Sequence, residues 1–137
     1  MMTPLLAVLM FGLLGLAGLA IDGGQLFVAK RGTQSLADAA ARAGAAQIDE
    51  VAARTNPDSP PQIDPVKAAD AAAEYIAQVQ PSATVAVLAV DANHIAVRVT
   101  SPPVSVTLLQ LAGVGRSVRV QAVGAAVPET GITEPGD

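Results

Sequence analysis

The sequence predicts an α+β fold in which one very long N-terminal helix leads into a small mixed head. Its first part contains an 18-residue run without charge, Pro4–Ile21, and apolar residues at a helical period follow it. A second helical pattern covers Pro65–Val79, and from Ala83 the period changes to two, which is typical of strands. We therefore expect a long helix, a second helix and an antiparallel sheet of about three strands, with the helices on one face.

The run Pro4–Ile21 predicts a membrane anchor, because at about 1.5 Å per residue it spans about 27 Å of a bilayer core of roughly 30 Å. A cleaved signal would have a basic start, a shorter apolar core and a small-residue cleavage site. Met1–Thr3 carries no cation, so we expect an uncleaved anchor; residues 18–24 (GLAIDGG) leave cleavage open as an alternative. Cations lie only beyond the run, with Asp22 between, and this pattern leaves the orientation open.

The helical pattern continues past the anchor to Arg54, and no proline follows Pro4 until Pro57. We predict an unbroken rod of about 75 Å over residues 4–54, with a kink at Gly23–Gly24.

A loop with four prolines, Asn56–Pro65, separates this rod from the second helix. Asp64 followed by Pro65 predicts the helix start, since Asp is a good N-cap residue and proline suits the first helical position.

Three strands are predicted after the second helix. Thr84–Val90 is apolar on both faces, which favours a central strand, whereas Ile95–Thr100 alternates and should be half exposed. Val106–Ala112 predicts a short helical segment and Ser117–Ala126 the third strand. The domain prediction is a transmembrane anchor (1–29), a helical stalk continuous with it (30–55), an α+β head (63–127) and a disordered tail (128–137).

Composition excludes several classes of function. The eight Lys and Arg residues form no run and the net charge is −4, so we expect no nucleic-acid partner. There is no cysteine, and one histidine cannot build a usual transition-metal site. His94 therefore predicts a surface turn residue. No catalytic motif, phosphate loop or complete dinucleotide fingerprint is present, so we predict no enzyme activity, no cofactor and no small-molecule substrate.

Candidate contact residues lie in the anchor. Asp22 has two interpretations: it neutralises a polar or cationic group on a neighbouring subunit, or it marks the water-facing end of the span. Small residues allow close helix approach in a membrane, although glycine is common in such helices anyway. Ala20 and Gly24 have small-xxx-small spacing, while Leu19 interrupts the face that continues from Gly15. The candidate residues for helix packing and assembly are Gly12, Gly15, Gly18, Ala20, Asp22 and Gly24.

One block joins these features: 16-LAGLAIDGGQLFVAKRGTQSLADAAARAGA-45. An apolar helix is followed by Asp22 and Gly24, an apolar-aromatic turn, Lys30–Arg31 and an alanine-rich stretch from Gln34 to Ala45. This block resembles the N-terminal domain of the TadE/TadG-like proteins of the Flp (Tad) pilus, a type IV-like pilus and secretion system. The C-terminal part is similar to members with a valine-rich hairpin, a Thr107–Gly113 turn and a Gly131–Pro135 tail.

The resemblance implies a non-enzymatic, pilin-like accessory protein of pilus assembly in bacteria. It implies an anchor in the cytoplasmic membrane, with the N-terminus inside and the head outside. The implied partners are the membrane, the pilus-assembly platform proteins and pilin subunits. Met1–Thr3 supplies neither the basic leader nor the peptidase site of processed pilins, which resembles the unprocessed TadG-like branch or implies a longer natural N-terminus. The larger TadG proteins carry an additional adhesion-type domain, for which this chain is too short. The alternative function is a small secreted or membrane-tethered binding module released by cleavage.

Overall fold

Helices precede strands along the described residues, 3–105 and 117–129, of a computed structural model. The elements are α1 (Thr3–Ala45), α2 (Glu50–Thr55), α3 (Pro65–Val79), β1 (Thr84–Val90), β2 (Ile95–Thr100), β3 (Val104–Ser105), β4 (Ser117–Val118) and β5 (Gln121–Ala126). The antiparallel sheet has the order β1-β2-β5, and β3 pairs with β4 separately. The predicted α+β class is confirmed.

The first helix, α1, is 43 residues long, about 65 Å at the standard rise. It is helical through Gly23 and Gly24, but it ends at Ala45, so the predicted unbroken helix to Arg54 is wrong. Beyond Ala45 the backbone of Ile48 pairs with that of Ile63, and this bridge ties the chain to the loop that precedes α3. Extended pairing at Ile48 is incompatible with a continuing helix, which is why the rod stops there.

A new helix, α2, begins directly after this bridge because Asp49 caps it. One carboxylate oxygen of Asp49 accepts hydrogen bonds from the backbone N–H groups of Val51 and Ala52, at 2.9 and 3.1 Å. These N–H groups have no partner inside a helix, and an aspartate at this position satisfies them. The sequence signal for the cap was present, but the helical period of the surrounding residues concealed it.

The third helix, α3, has the predicted bounds, Pro65–Val79, and the predicted start. Asp64 accepts hydrogen bonds from the N–H groups of Val66 and Lys67 at 3.1 and 3.2 Å. The Lys67 N–H and ammonium lower the pKa of Asp64 from its ordinary value of 3.8. Ala68, Ala72 and Ile76 form the buried face of α3.

The core lies where α1 and α3 cover one face of the sheet. The covering helices contribute mostly alanine, while β2 contributes three fully buried side chains, Ile95, Val97 and Val99. On β5 the residues paired with them are small: Ala126, Gly124 and Ala122. Side-chain size therefore falls from β2 to β5, and α1 approaches the β5 backbone closely.

Two glycines mark the closest approaches. A Cβ on Gly124 would overlap the carbonyl group of Ala37 and lie 2.5 Å from the backbone nitrogen of Asp38. A Cβ on Gly44 would lie 2.6 Å from Cδ1 of Ile95 and 2.9 Å from the carbonyl oxygen of Ala68. Helix and sheet thus pack backbone against backbone at Gly124.

The strand assignments need two corrections. The central strand is β2, and β1 is an edge strand whose residues are mostly exposed. A β-bulge between Val87 and Ala89 explains the two-sided apolar pattern of β1, because it changes which residues share a face. The predicted third strand is interrupted and forms β4 and β5. The predicted helical segment Val106–Ala112 and most of the predicted disordered tail lie outside the described residues.

Substitution of Gly124 tests the close helix–sheet contact. We expect Gly124→Ala to lower the free energy of unfolding by about 1–3 kcal/mol, because the added methyl group would force two backbones apart. Thermal unfolding of the full chain in detergent, followed by circular dichroism, measures the change. Gly32→Ala is the control: Gly32 lies in α1, and an added Cβ there would meet nothing within 4 Å. It should raise stability by about 0.5–1 kcal/mol, and an equal loss in both variants would contradict the contact.

The cap at Asp64 predicts a pH dependence of stability. Its pKa is lowered in the folded chain from 3.8, so its contribution is complete at higher pH and is lost as pH falls through the folded value. We expect Asp64→Asn to lower the unfolding temperature at pH 7 and to approach wild type at acidic pH. Asp64→Ser is the control, because serine caps helices without a charge. A difference between wild type and Asp64→Asn that persists unchanged at pH 2–3 would contradict this account.

Candidate functional site

The N-terminal part of α1 exposes all of its large apolar side chains. They are between 58% and 76% exposed and comprise Leu5, Leu6, Val8, Leu9, Met10, Phe11, Leu13, Leu14, Leu16, Leu19 and Ile21. No residue of the most apolar 18-residue window of this helix is buried in the protein. Of the helices in the described residues, α1 is long and apolar enough to cross a membrane, judged by length and composition.

Burial of α1 begins on a single face. Gly18 is half-buried and Asp22 is buried, and the same face continues through half-buried Leu26 and Ala29 to buried Thr33. These positions are three or four residues apart, which places them on one stripe of a helix. The protein therefore covers this face of α1 as far as about Gly18, within the segment that the sequence assigns to the anchor.

Asp22 lies inside this stripe with only 5% of its surface exposed. It also makes a polar or electrostatic interaction within the chain. Neither interpretation drawn from the sequence anticipated a carboxylate enclosed by its own protein. A carboxylate at the edge of a span is costly in lipid, and enclosure by protein reduces that cost.

The candidate glycines fall into two groups. Gly18 shares the enclosed stripe with Asp22, whereas an added Cβ at Gly12, Gly15 or Gly24 would meet nothing within 4 Å. At about 100° per residue, Ala20 and Gly24 lie roughly opposite Asp22 on the helix, and both are exposed. The structure thus leaves the Ala20–Gly24 face open to another helix.

The sequence analysis did not include two exposed side chains above this face among the candidate contact residues. Phe27 and Val28 are 59% and 70% exposed, so the apolar surface continues past Asp22 on the far side of α1. The guanidinium of Arg31 lies 5.6 Å from the centre of the Phe27 ring, within the range of a cation–π contact. The i, i+4 spacing of an aromatic residue and a cation is the sequence signal that was available.

The described residues hold no group of three His, Cys, Asp or Glu side chains that would bind a metal ion. Nδ1 of His94 lies 2.8 Å from Oδ2 of Asp91, in the turn between β1 and β2. The N–H of Asn93 and the His94 ring lower the pKa of Asp91. This arrangement stabilises a turn, which agrees with the surface role predicted for His94.

A cleft of about 360 Å³ lies at the other end of the head, where α1 ends beside the residues that follow β5. Its lining residues are Arg42, Ala45, Ala46, Ile48, Val127 and Glu129. Among these described residues, the lining carries one cation, Arg42, and one carboxylate, Glu129.

Substitution of Asp22 tests whether it stabilises the head. We expect Asp22→Ala to lower the free energy of unfolding in detergent by about 1–3 kcal/mol, because the interaction that the buried carboxylate makes would be lost. Asp22→Asn, which keeps hydrogen-bonding atoms, should lose less. Leu19→Ala is the control, since Leu19 is 67% exposed and should change stability little. Equal stability of Asp22→Ala and wild type would show that the buried carboxylate contributes nothing.

The family model described as putative Flp pilus-assembly TadE/G-like matches residues 1–47. No curated protein matches, and no solved structure matches. The matched segment contains all six candidate residues and ends just beyond α1. The N-terminal third of the chain is therefore similar to this family.

Proposed function

We propose that the chain is a membrane-anchored, non-enzymatic assembly protein of the Flp (Tad) pilus, similar in design to a minor pilin. The N-terminal part of α1 spans the cytoplasmic membrane with its N-terminus inside, and the head lies on the outer side. The partners are pilus-assembly platform proteins or pilin subunits. The family match supports the role in pilus assembly, and the structure supports an action by contact.

One observation carries this proposal: α1 has two halves in two different environments. Residues after Thr33 form the centre of the head, with Ala37, Ala40 and Ala41 fully buried. Residues before Gly18 expose only apolar side chains and small residues. Each large apolar side chain left in water forgoes about 1.5–3 kcal/mol of burial. Lipid or other apolar helices would provide this burial.

The open Ala20–Gly24 face suggests how the protein makes contacts within the membrane. Without large side chains there, a neighbouring helix can approach closely and pack against the backbone. Asp22 lies on the other side of α1 and is already enclosed. The proposed assembly contact therefore uses Ala20 and Gly24, while Gly18 and Asp22 connect the anchor to the head.

Bulky substitutions separate assembly from folding. Ala20→Leu and Gly24→Leu should leave the unfolding temperature nearly unchanged, because both positions are exposed and an added Cβ at Gly24 meets nothing. They should nevertheless reduce the number of pili per cell severalfold, measured by electron microscopy. Ala7→Leu is the control for added bulk, since it is exposed on another side of α1. Normal piliation in both test variants would contradict the helix-packing role.

The location and the class of function are tested by fractionation and N-terminal sequencing. We expect the chain in the alkali-resistant membrane fraction, with a start at Met1 or Met2, and cross-linked to other Flp pilus proteins. A soluble mature chain that begins near Gly23 would instead support the secreted binding module.

A further inference from the structure

The contacts that α1 makes with the head show how far each part of the head lies from the N-terminal, apolar end of α1. Gly44 lies beside Ile95 and Ala68, and Gly124 lies beside Ala37, one to two turns lower. Below these, Nε2 of Gln34 donates to the carbonyl oxygen of Val123 at 3.0 Å. A cleft of about 190 Å³ lies where α3 ends and the sheet is nearest the apolar part of α1, and we call this level the base of the head. Its lining is Ala29, Gly32, Thr33, Leu36, Gln80, Ala83, Ser101, Pro102 and Val104.

Four exposed cations lie at the base or just above it. Lys30 and Arg31 project from α1 at the level of this cleft. Arg119 lines an adjoining cleft with Ser82 and residues 100–103. Arg98 pairs across the sheet with Val123, at the level of Gln34. We call these four residues the base cations: Lys30, Arg31, Arg98 and Arg119.

The acidic residues lie further from the anchor. Besides the buried Asp22, the described residues contain nine acidic residues. All nine lie at the level of Asp38 or further from the apolar end of α1. They are Asp38, Asp49, Glu50, Asp58, Asp64, Asp70, Glu74, Asp91 and Glu129. Three cations accompany them, which we call the distal cations: Arg42, Arg54 and Lys67. The full chain has a net charge of −4. Its described residues nevertheless have a basic base and an acidic distal end.

We propose that the base of the head binds the anionic headgroups of membrane phospholipids. This rests on the proposed membrane anchor, which holds the base at the lipid surface whichever side the head occupies. The exposed apolar surface of α1 ends with Phe27 and Val28, directly below Lys30 and Arg31. Aromatic residues and long cationic side chains are both favoured at this depth, where the cations reach phosphate groups.

Charge explains both the strength and the direction of the contact. Each Lys or Arg near an anionic surface strengthens association roughly fivefold, the equivalent of about 1 kcal/mol. The nine acidic residues are repelled by the same surface, so the head stands with its distal end away from the membrane. A head without this asymmetry could lie on its side and bring other faces to the lipid.

The chain offers a clean reporter because it contains no cysteine. Ser82→Cys at the base and Ser59→Cys in the loop before α3 are both exposed sites for a nitroxide label. The full chain would be reconstituted in vesicles of phosphatidylcholine alone, and of phosphatidylcholine with one third phosphatidylglycerol. Electron paramagnetic resonance then measures how accessible each label is to a water-soluble nickel complex.

We expect the Ser82 label to be roughly fivefold less accessible in the anionic vesicles than in the neutral ones. The Ser59 label should be equally accessible in both. The protection should disappear in about 1 M salt, where the Debye length is about 3 Å. Equal accessibility of the Ser82 label in the two vesicles would overturn the proposal.

Two variants of identical net charge provide the decisive comparison. The base variant carries Lys30→Gln, Arg31→Gln and Arg119→Gln. The distal variant carries Arg42→Gln, Arg54→Gln and Lys67→Gln. With the far-ultraviolet circular dichroism of both unchanged from wild type, the base variant should lose the protection and the distal variant should keep it.

The outcomes also separate this proposal from the anchor on which it rests. Loss of protection in both variants, or in neither, would overturn the headgroup contact while leaving the anchor intact. Failure of the wild-type chain to stay with the neutral vesicles during flotation would overturn the anchor, and the headgroup contact with it.

Discussion

The structure depends on the direct contact between the backbone of α1 and the sheet at Ala37 and Gly124. Because neither residue has a large side chain, helix and strand approach closely. The alanines of α1 and α3 pack around Ile95, Val97 and Val99 and bury them. Each small side chain in this core buries little apolar surface area, and dense packing compensates for this. The abundance of alanine and glycine in the chain is therefore a requirement of the architecture.

As a result, one continuous helix, α1, has a C-terminal half packed in the head and an N-terminal half whose apolar side chains are exposed. Its C-terminal half packs against the sheet, and the same helix continues without interruption through Gly23 and Gly24 into the exposed N-terminal half. Enclosure begins at Gly18 and Asp22, before the exposed apolar surface ends at Val28 on the far side. The boundary between anchor and head is therefore different on the two sides of α1, and a division of the chain at one residue number does not describe it.

Local signals predicted much of this fold correctly. The cap at Asp64 fixed the start of α3, and the change of period fixed β1 and β2, because both depend on neighbouring residues. The end of α1 at Ala45 depends instead on the pairing of Ile48 with Ile63, fifteen residues away, and helical periodicity cannot report such a contact. The bulge in β1 misled the assignment of the central strand for the same reason. For the candidate site, the sequence indicated Asp22 and the glycines but not which face of α1 each would occupy.

The distribution of charge shows most clearly what composition conceals. The cations of this chain form no run in sequence, which excluded a nucleic-acid partner but also suggested that they act separately. Antiparallel topology brings them together: β2 descends towards the anchor and β5 rises from it, so Arg98 and Arg119 lie near Lys30 and Arg31. The capping aspartates at positions 49 and 64 and Asp91 in its turn are needed at the opposite end, where helices and turns begin. Structural requirements of the backbone thus concentrate the described acidic residues far from the apolar part of α1, and a basic surface next to that part is compatible with a net negative charge.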